Sequence, residues 1–106
     1  MLITTMNDVP GHEITDVYGE VFGLTVRSRN AFSQVGAGLK SMLGGELKGM
    51  TKALADSRQE VIARMVEEAQ GKGANAVVAM RFDTSELGKT WTEICAYGTA
   101  VRLAKT

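Results

Sequence analysis

A chain of 106 residues can wrap one hydrophobic core, whereas two cores would leave each half too small to bury much of its surface. Its 44% hydrophobic and 23% charged residues are those of a folded domain, which excludes a disordered polyelectrolyte and a low-complexity chain. Twelve lysines and arginines offset twelve aspartates and glutamates, so no net positive field gathers phosphates and nucleic acid is not expected as a partner.

Residues 1–11 hold no basic stretch and little apolar sequence beyond Leu2 and Ile3, too little for a signal peptide. No later run approaches the roughly 18 apolar residues of a membrane span. The single cysteine, Cys95, precludes an intramolecular disulfide and fits a reducing compartment. A cytoplasmic protein with no membrane partner is expected.

Residues 14–27, ITDVYGEVFGLTVR, are rich in β-branched and aromatic side chains without a helical stripe, and predict a strand. Alternation places Val17, Gly19, Val21, Gly23 and Thr25 on one face, and Tyr18, Glu20, Phe22, Leu24 and Val26 on the other. The first face is small and the second bulky. Such length needs a bend, for which Gly19 or Gly23 is the candidate position. Residues 30–43 predict a short helix weakened by Gly36 and Gly38. Gly44 and Gly45 punctuate the chain, and residues 46–70 predict a long helix capped at Gly71 and Gly73. Its apolar stripe carries Leu47, Leu54, Val61, Ile62, Met65 and Ala69, with Lys52, Asp56, Glu60 and Glu67 opposite.

Residues 75–84 and 91–103 are β-rich and flank the polar run SELGK, which predicts a hairpin. In the second of these strands Ile94, Ala96, Gly98 and Ala100 form another small face, with Trp91, Cys95, Tyr97, Val101 and Leu103 on the other side. A long helix between the first and second strands is the usual crossover of a parallel pair, and an antiparallel third strand fits between them, giving the order 1-3-2. One helix covers one side of such a sheet. The other side, with Tyr18, Phe22, Leu24, Tyr97 and Val101, is left for a second subunit to cover. Small residues let the helix approach closely, which assigns the bulky face to the interface, with the reverse assignment as the alternative. The segment from Leu2 to Thr5 is expected to add a short strand to a neighbour's edge.

Arg58 falls on the apolar stripe of the helix and needs an acid there, for which Asp83, Glu93 or Glu20 are the candidates. The pairing reads either as an interfacial ion pair or as an anion site between helix and sheet. His12 and Cys95 are the sole imidazole and thiol, without the paired spacings of a zinc site. Cys95 is expected to pack in its strand and His12 to sit in an exposed turn after Pro10-Gly11. The six methionines do not cluster, and Met50, Met65 and Met80 are expected to fill core. Gly44 and Gly45 before a helix, with Lys40, Lys48, Arg27 and Arg29 nearby, form neither a Walker loop nor a dinucleotide fingerprint.

Gly44-Gly45-Glu46, the run GANAVVAMRFDTS over residues 73–85 and the pattern W-x-E-I-x-A-Y-G-T-A-V over residues 91–101, with the strand over 19–26, resemble the YbjQ-like family of small bacterial and archaeal proteins. The resemblance spans most of the chain. It implies a β-α-β-β, dodecin-subunit-like fold assembled into a ring, usually a pentamer that can stack into a decamer. The family carries a heavy-metal-binding label but supplies no catalytic residue to transfer. Asp83, Glu93 and Tyr97 lie inside the matching segments and Arg58 on the matching helix, positions that suit an intersubunit network or a ligand site. His12 lies outside them.

The expectation is one α+β domain over residues 1–106, two-layered, with a three-stranded mixed sheet and one long helix, in a homo-oligomeric ring. It is read as a noncatalytic binding or assembly module of unknown ligand. The alternatives are a heavy-metal-binding protein that uses His12, Cys95 or symmetry-related carboxylates to hold a divalent or soft metal ion, and a small-molecule carrier or enzyme with a pocket at the subunit boundary.

Overall fold

In the computed structural model residues 1–28 and 48–106 are described. The helix expected over 30–43 and the glycines at 44–45 lie outside them. The elements are β1 (Leu2–Ile3), β2 (His12–Ser28), α1 (Lys48–Gly71), β3 (Ala76–Leu87) and β4 (Trp91–Lys105). They build one sheet in the order β1-β3-β4-β2. β4 is antiparallel to both β2 and β3, while β1 runs parallel to β3. The long strands therefore follow the expected order, with the last of them in the middle.

The sheet has four strands where three were expected. Leu2 and Ile3 pair with Ala76 and Val77 of the same chain, not with a neighbour. The physical reason is the unpaired edge at the start of β3. The Thr4 amide donates to the Val77 carbonyl at 2.9 Å, Met80 N–H to the Thr4 carbonyl at 3.0 Å, and Ala79 N–H to the Met6 carbonyl at 2.8 Å. The N-terminal segment closes backbone groups that would otherwise stay open at an edge.

α1 is held against the small face. Gly23 lies directly beneath it, and a Cβ there would stand 2.1 Å from the Val61 carbonyl oxygen and 2.6 Å from the Met65 amide nitrogen. Val21, Val61, Met65, Ala69, Val77, Ile94, Ala96 and Ala100 form the core between the layers. The buried helical row is Ser57, Val61, Met65 and Ala69, spaced four apart as the ridge of a helix is. Leu54, 44% exposed, and Arg58 sit on the neighbouring row, so Arg58 is exposed and not buried as its position on the stripe suggested. The helix ends in a Schellman motif at Gly73, with φ of 88°. Ala74 N–H donates to the Ala69 carbonyl at 3.1 Å and Gly73 N–H to the Gln70 carbonyl at 3.0 Å.

Two bulges decide which side chains face the helix. Val17 pairs with Val101 and Gly19 with Ala100, so Tyr18 is inserted between them. Gly19 takes φ of 96° there, a conformation glycine adopts without a Cβ penalty. The extra residue resets the alternation. Tyr18 packs half-buried against the core beneath the helix, and Val17 turns outward, 66% exposed, each opposite to its expected face. In β3, Ala79 and Met80 together oppose Gly98, between the pairs Val78–Thr99 and Arg81–Tyr97. A Cβ on Gly98 would lie 2.6 Å from the Val77 side chain, so the bulge requires a residue without one.

Asn75 extends the β3–β4 ladder with its side chain, donating to the Leu103 carbonyl at 3.0 Å and accepting from Leu103 N–H at 2.7 Å. Asn75→Ala removes both bonds and should cost about 1–2 kcal/mol, read as a lower urea midpoint. Gly23→Ala should cost more, about 2–3 kcal/mol, because the clashing atoms are helix backbone. An unchanged midpoint for Gly23→Ala would contradict the close approach of the layers.

Candidate assembly surface

The side of the sheet turned away from α1 divides into two parts. At the end nearest the N-terminal segment, Ala76, Val78 and Val101 form a small buried cluster with Val9 and Leu103 packed on it. Val101 is 1% exposed, so the chain covers this part itself, contrary to the expectation that Val101 would need a second subunit. Arg81 helps hold the cover, donating to the Thr5 carbonyl at 2.9 Å.

The remainder is bare. Phe22, Leu24 and Val26 on β2 are 45%, 38% and 46% exposed, and Tyr97 on β4 is 38% exposed. Register pairs Phe22 with Tyr97, Leu24 with Cys95 and Val26 with Glu93, so these side chains share one face. Antiparallel sheets with a wet face place polar residues on it, and edge strands carry charges that deter association. β2 is an edge strand whose outward row is apolar.

The β2 edge itself is partly closed. Arg64 donates to the Leu24 carbonyl at 2.6 Å and Lys72 to the Glu20 carbonyl at 3.3 Å. Arg64 also pairs with Glu60 at 2.7 Å, and Arg27 forms an ion pair with the same carboxylate. These edge contacts were not foreseen from the sequence; they come from Arg64 on the helix and Lys72 just beyond its end at Gly71.

Asp83, Glu93 and Tyr97, singled out from the sequence, come together on the bare face. Asp83 pairs with Cys95 and Arg81 with Tyr97 across β3 and β4, and Glu93 is two residues from Cys95 on the same side. Arg58 is not with them. Its guanidinium carbon lies 4.7 Å from the Phe82 ring centroid, a cation–π contact on the helix side of the sheet. Glu20, on the bare face, is likewise separated from it by the sheet. Cys95 is partly buried. Burial first, and then the charges of Glu93, Asp83 and Glu20, push its thiol above the usual range, so it is protonated at neutral pH and a weak nucleophile.

His12 stands at the start of β2, exposed after the Pro10-Gly11 turn, with Nδ1 3.0 Å from the Pro10 carbonyl. It pairs with Lys105, ten residues along β4 from Cys95, a separation of about 33 Å. The two cannot share an ion within one chain. Among the described residues no three histidine, cysteine or acidic side chains are grouped to hold a metal. A single thiol beside carboxylates is also a mixed donor set for a soft metal, and the described residues of one chain do not group into a heavy-metal centre. Met65 and Met80 are buried and Met1 and Met6 exposed; the side chain of Met50 lies outside the described residues.

A family model described as "Putative heavy-metal-binding" matches residues 1–104. The chain is 63% identical over 105 residues to a UPF0145 protein of Acidothermus cellulolyticus, covering 99% of this chain and 97% of that one. It is 57% identical to a UPF0145 protein of Streptomyces coelicolor, covering 99% of each, and 55% identical to one from Lactococcus lactis subsp. cremoris, covering 99% and 96%. Among solved structures, a protein of unknown function of the DUF74 family from Pediococcus pentosaceus superposes with a TM-score of 0.59 over 98% of both chains at 15% identity, a likeness of fold.

The carboxylates beside Cys95 give a pH-dependent test. Asp83→Asn with Glu93→Gln removes two negative charges that disfavour the thiolate, so the pH midpoint of thiol alkylation should fall towards the ordinary cysteine value while staying above it, because burial persists. The sign for stability follows. With a folded pKa above the unfolded one, the contribution is full below the unfolded value and is lost as pH rises through the folded value. Alkaline unfolding should therefore begin at lower pH in the wild type's reference than in a Cys95→Ala variant, as read by circular dichroism.

Proposed function

The chain belongs to the YbjQ-like family, and we propose that it works as a homo-oligomeric ring, pentameric or decameric, that acts by binding and assembly without turnover. The observation that carries this reading is the apolar row Phe22, Leu24 and Val26 beside Tyr97, exposed on the sheet side that α1 does not cover. An exposed apolar patch on an edge strand marks an interaction surface.

The dimensions support it. The chain extends 53 × 31 × 17 Å with a radius of gyration of 16.9 Å, whereas a compact domain of this length has about 13 Å. A thin two-layer slab gains most from packing against another copy, since among the described residues one of its broad sides is only partly covered. The chemistry supports binding over catalysis. The sole thiol has a raised pKa and the sole imidazole stands at the far end of β2, so these two do not face one another as a nucleophile and its base. A heavy metal, as the family description has it, would need donors from several subunits, which the ring would supply around its axis. No helix among the described residues is long and apolar enough to cross a membrane, and cytoplasmic residence is part of the proposal.

Phe22→Asp should separate these elements. Phe22 points away from its own helix, so the variant should keep the far-ultraviolet circular dichroism of the wild type. In native mass spectrometry it should run as a monomer where the wild type runs as a ring. The same wild-type spectrum reports any ion or small molecule retained. A wild type that stays monomeric at micromolar concentration would refute the proposal.

A further inference from the structure

The bare face has a complement elsewhere on the same chain. α1 packs mainly across β2 and β4 and scarcely touches β3, which leaves the helix-side flank of β3 half open. Phe82 is partly buried there with Ile62, Leu54 is 44% exposed, and Arg58 lies over the Phe82 ring. Around Phe82 this flank is apolar, with Thr84 and Glu86 further along the same face of β3, and its cation Arg58 forms no ion pair among the described residues. The bare face is apolar and carries Glu20, Asp83 and Glu93 around Cys95. Beside them on this face, Arg81 is engaged with the Thr5 and Met80 carbonyls.

We propose that neighbouring subunits pack head to tail, the bare face of one sheet receiving the β3 flank of the next, so that Asp83 and Glu93 meet Arg58 of the partner subunit. This rests on the homo-oligomer reading and names the two surfaces that make it. Three observations favour it over other arrangements. A ring of more than two subunits needs two different surfaces at each contact, and these two differ. Bare face on bare face would bring two surfaces carrying Glu20, Asp83 and Glu93 together, and like charges juxtaposed in an interface disfavour it. Continuation of the sheet through the β2 edge is obstructed, because Arg64 and Lys72 already occupy the Leu24 and Glu20 carbonyls. The arrangement also explains why Arg58 and the two carboxylates lie on opposite sides of one subunit. The sheet separates them within a chain, and rotation to the next chain brings them together.

A charge-swap series on the full chain tests the pairing, with assembly read by native mass spectrometry and by dilution in light scattering. Arg58→Glu and Glu93→Lys should each keep the wild-type circular dichroism and raise the dissociation midpoint roughly tenfold or more. The double variant, with both changes in one chain, should return the midpoint close to that of the wild type. Asp83→Lys, at an exposed position, replaces Glu93→Lys in the series if that variant does not fold. Glu67→Lys, on the solvated side of α1, should leave assembly unchanged. Single variants that fold and assemble like the wild type would overturn the head-to-tail contact, and so would weakened single variants that the double variant does not rescue. A wild type that is monomeric throughout would instead defeat the oligomer reading itself.

Discussion

The close seat of α1 on the sheet, at Gly23, is the constraint from which the other features follow. With the Val61 carbonyl and the Met65 amide where a Cβ would be, the helix lies against backbone, and Ala96 and Ala100 next to it are fully buried. Close packing of this kind wins dispersion contacts that a raised helix would lose. It also allots the faces. Once the glycine and alanine side of the sheet is beneath the helix, period-two alternation sends Phe22, Leu24 and Val26 to the other side. The exposed apolar row is thus a consequence of how the core was built.

The edges of the sheet are managed in two ways. At the β3 edge the N-terminal segment supplies a short parallel strand and then passes over the Ala79–Met80 bulge, where Ala79 holds φ of 53°. The amides of Ala79 and Met80 both donate to this segment, so the irregular backbone is tied on the side where the ladder to β4 is interrupted. At the β2 edge, Arg64 of α1 and Lys72 just after it reach over to carbonyls. Both devices satisfy backbone groups within the subunit, and neither covers the apolar side chains of the β2 row.

The electrostatics of that row weigh on its chemistry. Burial, and then the carboxylates around it, raise the pKa of the Cys95 thiol, which does not suit nucleophilic attack. The same carboxylates give the bare face a negative character at its centre, while the β3 flank carries Arg58 over the Phe82 ring and Glu86 further along the strand. A single subunit with these two patches is balanced in total charge and uneven in its distribution. Such a pattern selects partner orientation more than it adds raw affinity.

Much of this architecture was legible in the chain itself. The small and bulky faces followed from alternation in residues 19–26 and 94–100, the long helix and its Gly73 cap from periodicity and composition, and the middle place of the last strand from the crossover rule. Other features depended on contacts between segments far apart in sequence. Alternation fails wherever one strand inserts a residue that its partner lacks, so Tyr18 and Val17 exchanged faces through a bulge visible only against β4. The apolar stripe of α1 is broad enough to hold two rows, and the tilt of the helix on the sheet chose Ser57–Val61–Met65–Ala69, leaving Arg58 outside. Leu2 and Ile3 read as a strand for a neighbour's edge, whereas in the folded chain they pair with Ala76 and Val77 of their own β3. Residue type and period determine which groups need burial or a partner; only the packed chain decides which of them find it within one subunit.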